Sequence, residues 1–375
     1  MGSSDEKAGI YIHVPFCASK CPYCDFYSVK TDSSLRERYL SALTNQIRSM
    51  PRVNADTIYI GGGTPSQLSP SEIEHILGEI FLSASVERGA EITMEANPGD
   101  CSADYLSTLR SAGITRLSLG VQSLDDAVLR NLGRRHSRDE ALRALTAAAG
   151  TFKHVNADIM LATPGQTPEN EAETIRLFSE CGADHVSAYI LKCYPGTPFG
   201  DKPPRGLPDD DGQAEFYLAA CRQLEALGYK HYEISNFSLP GCRSRHNMKY
   251  WDCRDYIGLG PAAHSCLQGR RFYSEPDLPG FLSTWSSPSD RFEELMKEEG
   301  DCTAEDYVML RLRLSDGLDL SKCRERFGKI PRIDPSFLEN CERSGLMTVR
   351  GDLIRLTDRG MVVSNSIISE MIDFG

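Results

Sequence analysis

Apolar and polar residues alternate along the first 230 positions in blocks that predict an α/β fold. Short apolar runs have the length of buried strands, and amphipathic stretches with helical spacing separate them. The predicted strands cover residues 10–14, 57–60, 91–95, 116–120, 155–161 and 185–191. The predicted helices cover residues 33–50, 70–82, 103–112, 138–149 and 168–181. Right-handed crossovers make such a sheet parallel, but periodicity alone leaves open whether it is doubly wound or a barrel.

The pattern changes in the rest of the chain. A predicted helix at 210–227 and strand at 229–234 precede a predicted loop up to Gly260 and a Pro- and Ser-containing connector at 278–290. Beyond residue 291 we predict helices at 304–314 and 335–344, a hairpin of 346–349 and 353–356, and a last helix after Thr357. This tail predicts a small winged-helix-like domain.

Three cysteines, Cys17, Cys21 and Cys24, lie within eight residues directly after the first strand and can converge on one centre. A cubane iron–sulfur cluster held by three thiolates keeps one iron without a protein ligand, and a substrate can bind there. The alternatives are a zinc site completed by His13 or a later cysteine, or simply three surface thiols. Structural zinc sites usually use two separated pairs of ligands, and the chain has no second CxxC pair.

Polar or glycine-rich residues follow several predicted strands. Because the carboxyl ends of parallel strands share one edge of a sheet, we expect these residues to form one mouth facing the cysteine loop. The strand ends concerned are residues 61–64, Glu95 to Asn97, Gln122, Asp158 and Lys192.

The spacing CxxxCxxC after a first strand resembles the signature of radical S-adenosylmethionine (SAM) proteins. The wider string from Tyr11 to Cys17 and the sequence Cys24-Asp-Phe-Tyr are similar to the HemN/HemW family, which contains oxygen-independent coproporphyrinogen III oxidases and haem chaperones. The resemblance implies a partial (β/α)6 barrel over residues 1–240, a haem-motif segment and connector over 241–290, and a HemN-type C-terminal domain over 291–375. It also implies a [4Fe-4S] cluster on Cys17, Cys21 and Cys24, with SAM on the fourth iron.

The same resemblance implies a set of SAM contacts. The family's motifs match this chain at Tyr11, Gly62, Gly63, Thr64, Glu95, Gln122, Arg134, Asp158 and Lys192. Glycines let a backbone approach a ligand closely, although an isolated glycine run is more often an ordinary turn. A carboxylate such as Glu95 suits the two ribose hydroxyls. The chain departs from the family at Ala162-Thr163-Pro164-Gly165-Gln166, where Tyr-Gly-Leu-Pro-Gly-Gln is common, although the Pro-Gly-Gln turn is kept.

Two features indicate the chaperone branch of that family. The oxidases carry a fourth cysteine two residues after the third, where this chain has Phe26, and an N-terminal extension, where only ten residues precede Tyr11. In addition, His246, Tyr250 and Trp251 match a haem-associated HNxxYW motif, and His264 is a possible second ligand. A histidine can ligate haem iron and aromatic rings can stack on the macrocycle. A lone histidine followed by aromatics is, however, more often part of a core.

Composition limits the classes of binding partner and the cellular compartments that suit this chain. The formal net charge is −12 with no long basic run, which disfavours nucleic acid as the main partner. No apolar stretch has the roughly 18–20 residues that cross a bilayer, although peripheral membrane association stays open. Thirteen cysteines, an odd number, favour a reducing compartment over a disulfide framework. We expect the cytoplasm, or a mitochondrion or plastid if a presequence is missing.

These observations predict a haem chaperone that binds haem, a [4Fe-4S] cluster and SAM, receives electrons from a donor, and delivers haem to apo-haemoproteins. The alternative is a radical SAM enzyme that decarboxylates coproporphyrinogen III oxidatively. A third reading is an iron–sulfur scaffold with a degenerate SAM pocket.

Overall fold

The computed structural model describes residues 7–374 of the chain. Strands and helices alternate in its first half, largely where the apolar pattern predicts them. In chain order these elements are β1 (Ala8–Val14), β2 (Phe16–Cys17), β3 (Val29–Lys30), α1 (Ser33–Ser49), β4 (Asn54–Gly62), α2 (Pro70–Ser83), β5 (Ser85–Ala96), α3 (Ala103–Ala112), β6 (Arg116–Gln122), α4 (Asp126–Asn131), α5 (Arg138–Thr151), β7 (His154–Leu161), α6 (Pro168–Glu180) and β8 (His185–Ile190).

The parallel strands are ordered β1-β4-β5-β6-β7-β8, which is also their order in the chain. Every crossover therefore steps in the same direction along the sheet. Because such crossovers are right-handed, all the intervening helices lie on one face, as in a barrel and unlike in a doubly wound sheet. The sheet does not close, since β1 and β8 each pair with an additional strand and not with one another. The α/β fold is thus an open, barrel-type sheet.

The two faces of this sheet differ in polarity. Residues such as Ile10, Ile58 and Met94 point to the helices and are fully buried in the main hydrophobic core. The alternate positions point into the concave interior and are largely polar. They include Tyr59, Thr93, Glu95, Ser118, Asn156, Asp158, His185, Ser187 and Tyr189. The period-2 alternation of strands thus separates a helix-packed core from a polar interior.

The next part of the chain extends the sheet at both ends. Its elements are α7 (Pro198–Asp201), α8 (Asp210–Ala226), β9 (Lys230–Glu233), β10 (Asn236–Ser238), α9 (Arg245–Trp251), β11 (Tyr256–Leu259), β12 (His264–Leu267), β13 (Arg270–Tyr273), α10 (Leu278–Thr284) and β14 (Lys297–Asp301). The antiparallel strands β10 and β9 follow β8, and β11 runs parallel to β1.

The predicted loop up to Gly260 was therefore wrong, because it contains β10, α9 and β11. Helix α9 spans only seven residues, too few to show a helical period, and the Ser244 hydroxyl caps it by accepting from Asn247 N. Strand β11 is stabilised by pairing with residues almost 250 positions away, which no local pattern reveals. The predicted connector at 278–290 likewise begins with a helix, α10.

The C-terminal part forms a small sheet flanked by helices. Its elements are α11 (Ala304–Arg311), β15 (Leu318–Asp319), α12 (Leu320–Phe327), α13 (Pro335–Arg343), β16 (Met347–Arg350), β17 (Leu353–Leu356), α14 (Asp358–Val362) and α15 (Ser364–Met371). Strands β16 and β17 form the predicted hairpin, with β15 on the other side of β17. The main sheet continues to residue 301 across both predicted domain boundaries, which themselves remain predictions. No helix within residues 7–374 is long and apolar enough to span a bilayer.

Candidate cofactor site

The cysteine loop begins where β1 ends and is held in shape by its own backbone. Strands β2 and β3 pair Phe16 with Val29 and Cys17 with Lys30, and this pairing closes the loop at its base. Cys24 N donates to Cys21 O across a turn at 3.1 Å. All three thiols are free and line one cavity of about 370 Å³ at the carboxyl edge of the sheet. The predicted convergence of the cysteines on one cavity is therefore present.

The cavity offers neither of the fourth ligands, His13 or a later cysteine, that a zinc site was predicted to use. Among residues 7–374, no histidine and no further cysteine lines it. His13 is buried, with Nδ1 3.1 Å from the Tyr11 hydroxyl and Nε2 2.9 Å from the Tyr27 carbonyl oxygen. With both ring nitrogens occupied by these partners, His13 does not complete a zinc site, and the incomplete three-thiol set remains.

The glycine loop after β4 packs directly on the cysteine loop. Gly63 N donates to Val14 O and Thr64 N to Phe16 O, each at 2.8 Å. A Cβ atom on Gly63 would lie 2.8 Å from the Phe16 carbonyl oxygen, closer than such atoms approach. The Thr64 hydroxyl lies 3.3 Å from Cys17 Sγ. Glycine is therefore required at position 63 so that the glycine loop can pack against the cysteine loop. The sequence alone does not reveal this requirement.

Two buried carboxyl groups lie deeper in the cavity. Glu95 accepts from the Tyr59 hydroxyl at 2.7 Å and from Gly62 N at 3.1 Å, and burial together with the neighbouring Asp158 raises its pKa to about 7. Burial also raises the pKa of Asp158 to about 6, against the opposing hydrogen bond that Asn156 donates at 2.7 Å. Desolvation favours the neutral form of a carboxyl group. Both groups thus titrate close to neutrality.

The end of β6 and the residue Arg134 form another wall of the cavity. Gln122 has a φ of +71°, a conformation that non-glycine residues rarely adopt. Arg134 donates to the Gly120 carbonyl oxygen at 2.5 Å, and its Nη1 lies 3.5 Å from Cys21 Sγ. Two buried atoms, Gln122 Oε1 and Arg134 Nε, have no hydrogen-bond partner among residues 7–374. Such atoms indicate a place for a polar ligand.

The structure gathers most predicted SAM contacts but places Tyr11 elsewhere. Lys192 lies at the exposed mouth of the cavity. Tyr11 is not among the residues that line the cavity. Its hydroxyl contacts His13 and its ring lies beside Tyr59, with 6.1 Å between the ring centroids. Tyr11 thus lies below the cavity, and its contact with SAM stays a prediction.

The residues of the cavity fit the implied cofactors. Cys17, Cys21 and Cys24 would hold an iron–sulfur cluster, and the Arg134 guanidinium group lies beside Cys21 Sγ. The unpartnered atoms of Gln122 and Arg134, with the carboxyl groups of Glu95 and Asp158, suit a polar ligand next to it. A bound cluster of this type supplies single electrons to its ligand.

The haem-motif residues lie away from this cavity. His246 packs against Gly9 and Thr57, near the start of β1 and β4, whereas the cysteine loop follows the end of β1. Its side chain has 0% exposure. Nδ1 lies 2.8 Å from the Thr57 hydroxyl and Nε2 2.8 Å from the Tyr250 hydroxyl, and burial lowers the pKa of His246 to about 3.

As folded here, His246 offers no free nitrogen to an iron atom. Trp251, at the end of α9, is half-buried, and Tyr250 uses its hydroxyl on His246. His264 is exposed on β12, stacks on Tyr273 and contacts Glu299 at 3.1 Å. The haem-binding role of His246, Tyr250, Trp251 and His264 stays a prediction, and for His246 it requires that two buried hydrogen bonds break.

Sequence reasoning missed several residues of the cavity. Tyr189, on the inward face of β8, lines the cavity, and Phe26 and Tyr194 lie at its mouth. Tyr59, whose hydroxyl donates to Glu95, lines the smaller pocket that adjoins the cavity. A count along each strand with period 2 would have found Tyr59, since it lies two positions before Gly61. The residues at the mouth lie on irregular loops, so no periodicity identifies them.

Comparisons with known proteins agree with this geometry. Residues 11–178 match the radical SAM superfamily, and residues 303–363 match the HemN C-terminal domain. The open sheet, the three-cysteine loop and these matches define a radical SAM protein. Proteins named Heme chaperone HemW are similar over nearly the whole chain: that of Lactococcus lactis is 32% identical (96% of each chain covered), and that of Escherichia coli 33% identical (96% of each). The chain belongs to the HemW family within the radical SAM superfamily.

The solved structure of coproporphyrinogen III oxidase HemN from Escherichia coli shares the fold. It superposes with a TM-score of 0.83 at 21% identity, covering 98% of this chain and 90% of that one. At this identity the likeness supports the architecture and not the reaction. The α/β prediction is thereby confirmed. The superfamily in turn implies a [4Fe-4S] cluster and SAM.

Proposed function

We propose that this chain is a haem chaperone, which binds haem, a [4Fe-4S] cluster and SAM and delivers haem to apo-haemoproteins. The observation that carries the proposal is the near full-length similarity to proteins named Heme chaperone HemW. The cavity supports it, because three thiols and a set of buried polar groups lie where such cofactors would bind.

Each wall of the cavity has a role in this proposal. Cys17, Cys21 and Cys24 would hold the cluster, whose electrons come from a donor protein. Glu95, in its ionised form, would accept hydrogen bonds from the ribose hydroxyls of SAM, while the glycine loop fixes the position of the cysteine loop. Arg134 positions Cys21 through its contact with the sulfur atom.

The competing function is oxidative decarboxylation of coproporphyrinogen III. The oxidases' additional cysteine two residues after the third is absent here, where Phe26 occupies the position with an exposed ring. A phenyl ring cannot replace a thiol in ligation or in hydrogen transfer. We therefore favour the chaperone.

An anaerobic haem titration tests the proposal directly. The cluster-reconstituted protein should bind haem stoichiometrically, as followed in the Soret band, and should then convert apomyoglobin into its haem-bound form. Failure to bind haem, or consumption of coproporphyrinogen III with release of carbon dioxide, would overturn it. A Cys17→Ser variant shows whether haem binding depends on the cluster.

We also propose a reducing compartment for this activity, either the cytoplasm or, if the natural protein carries a presequence, a mitochondrion or plastid. The free state of all cysteines in the described chain supports a reducing environment. Fractionation of cells that express the full-length tagged protein tests the assignment.

A further inference from the structure

Exposed aromatic residues are concentrated in the cofactor cavity and at its mouth. Among residues 7–374, the large hydrophobic side chains with high exposure include Phe26 (64%), Tyr189 (41%) and Tyr194 (46%). All three line the same cavity, Phe26 and Tyr194 at its mouth and Tyr189 just inside it on β8. We call these three residues the aromatic rim. A soluble domain rarely concentrates exposed rings at one opening unless the opening binds something apolar.

Two uncompensated cations accompany the aromatic rim. Lys20, in the cysteine loop, and Lys192, after β8, are exposed at the same mouth, and neither forms an ion pair within the described part of the chain. Asp25 is the exposed carboxylate of this mouth, whereas Arg135 is engaged by Asp100. In a chain with a net charge of −12, free lysines beside exposed rings suit a flat apolar ligand that carries carboxylates.

The size of the cavity limits what can lie inside it. At about 370 Å³ it is near the lower end of ligand pockets, which range from about 300 to 1,000 Å³. The buried polar groups around Glu95 and Gln122 suit a compact polar ligand. A macrocycle as wide as haem would instead lie across the mouth, with the aromatic rim against its faces and edges.

We propose that haem docks on the aromatic rim, above the cluster, with its propionates at Lys20 and Lys192, and not on His246. This inference rests on the proposed chaperone function and specifies its haem site. Flat aromatic contacts stabilise a porphyrin by stacking, and lysine side chains pair with carboxylates. His246, by contrast, is fully buried with both nitrogens occupied.

The test is a haem titration of the cluster-reconstituted, SAM-loaded protein in the Soret band. We expect Phe26→Ala and Tyr194→Ala each to weaken haem binding about tenfold, because each removes one stacking contact. Phe26→Trp should retain the affinity. Phe81→Ala is the matched control: its ring is 47% exposed on α2, away from the cavity, and its loss should leave haem binding unchanged.

Iron content and circular dichroism establish that each variant is folded and loaded. Because Phe26 lies close to Cys24, Tyr194→Ala is the second, independent probe outside the cysteine loop. Wild-type affinity in both alanine variants would overturn the rim site alone. Absence of haem binding by the wild type would overturn both the chaperone function and the rim site. A loss confined to His246→Ala, in a variant that is otherwise stable, would move the site to α9.

Discussion

Replacing His246 by alanine should destabilise the fold strongly, because this buried imidazole joins β4 to Tyr250 of α9 through two hydrogen bonds. The change removes two hydrogen bonds of 2.8 Å and leaves the Thr57 and Tyr250 hydroxyls without partners. A buried group left unpaired costs about 1–3 kcal/mol, and the cavity left by the ring adds to this. Allowing for overlap between these costs, we expect the free energy of unfolding to fall by about 3–5 kcal/mol.

Urea unfolding of the anaerobic protein at pH 7.5, followed by circular dichroism, measures this loss. Tyr250→Phe removes one of the two bonds and keeps the ring, so it should cost only about 1–2 kcal/mol. His264→Ala is the matched control, since its side chain is 54% exposed and its loss should change stability by less than about 0.5 kcal/mol. If His246→Ala unfolds at the same urea concentration as the wild type, the stabilising role of His246 is refuted.

The pH dependence gives a second signature of the same side chain. The pKa of His246 is about 3 in the folded protein and about 6.5 in the unfolded chain, so the unfolded chain binds the extra proton. Its contribution to stability is complete above pH 6.5 and is lost as the pH falls below that value, by up to about 1.4 kcal/mol per pH unit. His246→Ala should therefore show a shallower decline of stability between pH 6.5 and 5 than the wild type. Parallel declines would contradict the burial of a neutral ring.

Three further outcomes follow from the cavity. SAM affinity should fall up to about tenfold per pH unit below pH 7, where Glu95 becomes protonated, and Glu95→Gln should remove this dependence in calorimetric titrations from pH 6 to 8. Gly63→Ala should reduce iron incorporation, because its Cβ would meet backbone atoms. Gly78→Ala, inside α2 with open space around it, should incorporate iron normally and should raise the free energy of unfolding by up to about 1 kcal/mol. Arg134→Gln should lower the cluster's midpoint potential by roughly 50–100 mV in a redox titration, because a positive group 3.5 Å from Cys21 Sγ favours the reduced cluster. An unchanged potential would show that Arg134 does not stabilise the reduced state.

The sequence predicted the cofactor end of the barrel well because that end obeys local rules. Strands of period 2 followed by glycine, acidic or amide residues indicate a carboxyl edge, and Glu95, Gln122 and Asp158 do line one cavity. Tyr11 was harder to place, because depth along a strand matters as well as the direction of the side chain. It lies three residues before the end of β1, beside Tyr59 and below the mouth.

The other end of the barrel could not be predicted, because long-range pairing determines it. Strand β11 pairs along its length with β1, almost 250 positions earlier in the chain, and α9 is too short to show a helical period. The spacing between His246 and Tyr250 matched a ligand motif, yet four residues on a helix also bring two side chains together on one face. In this structure they bond to each other, which is the core reading of the same pattern.

The position of His246 also constrains how haem could be exchanged. A ligand that required this imidazole would first have to free it from Thr57 and Tyr250, at a cost of about 3–5 kcal/mol, and such a cost weakens apparent affinity by roughly 150- to 4,000-fold. A protein that collects and releases haem needs a site that opens without unfolding its own sheet. The aromatic rim meets this condition, because its rings are already exposed. It also lies at the cluster end of the barrel, so the occupancy of the cofactor cavity beneath it could control haem affinity, whereas α9 lies near the opposite end of the same strands.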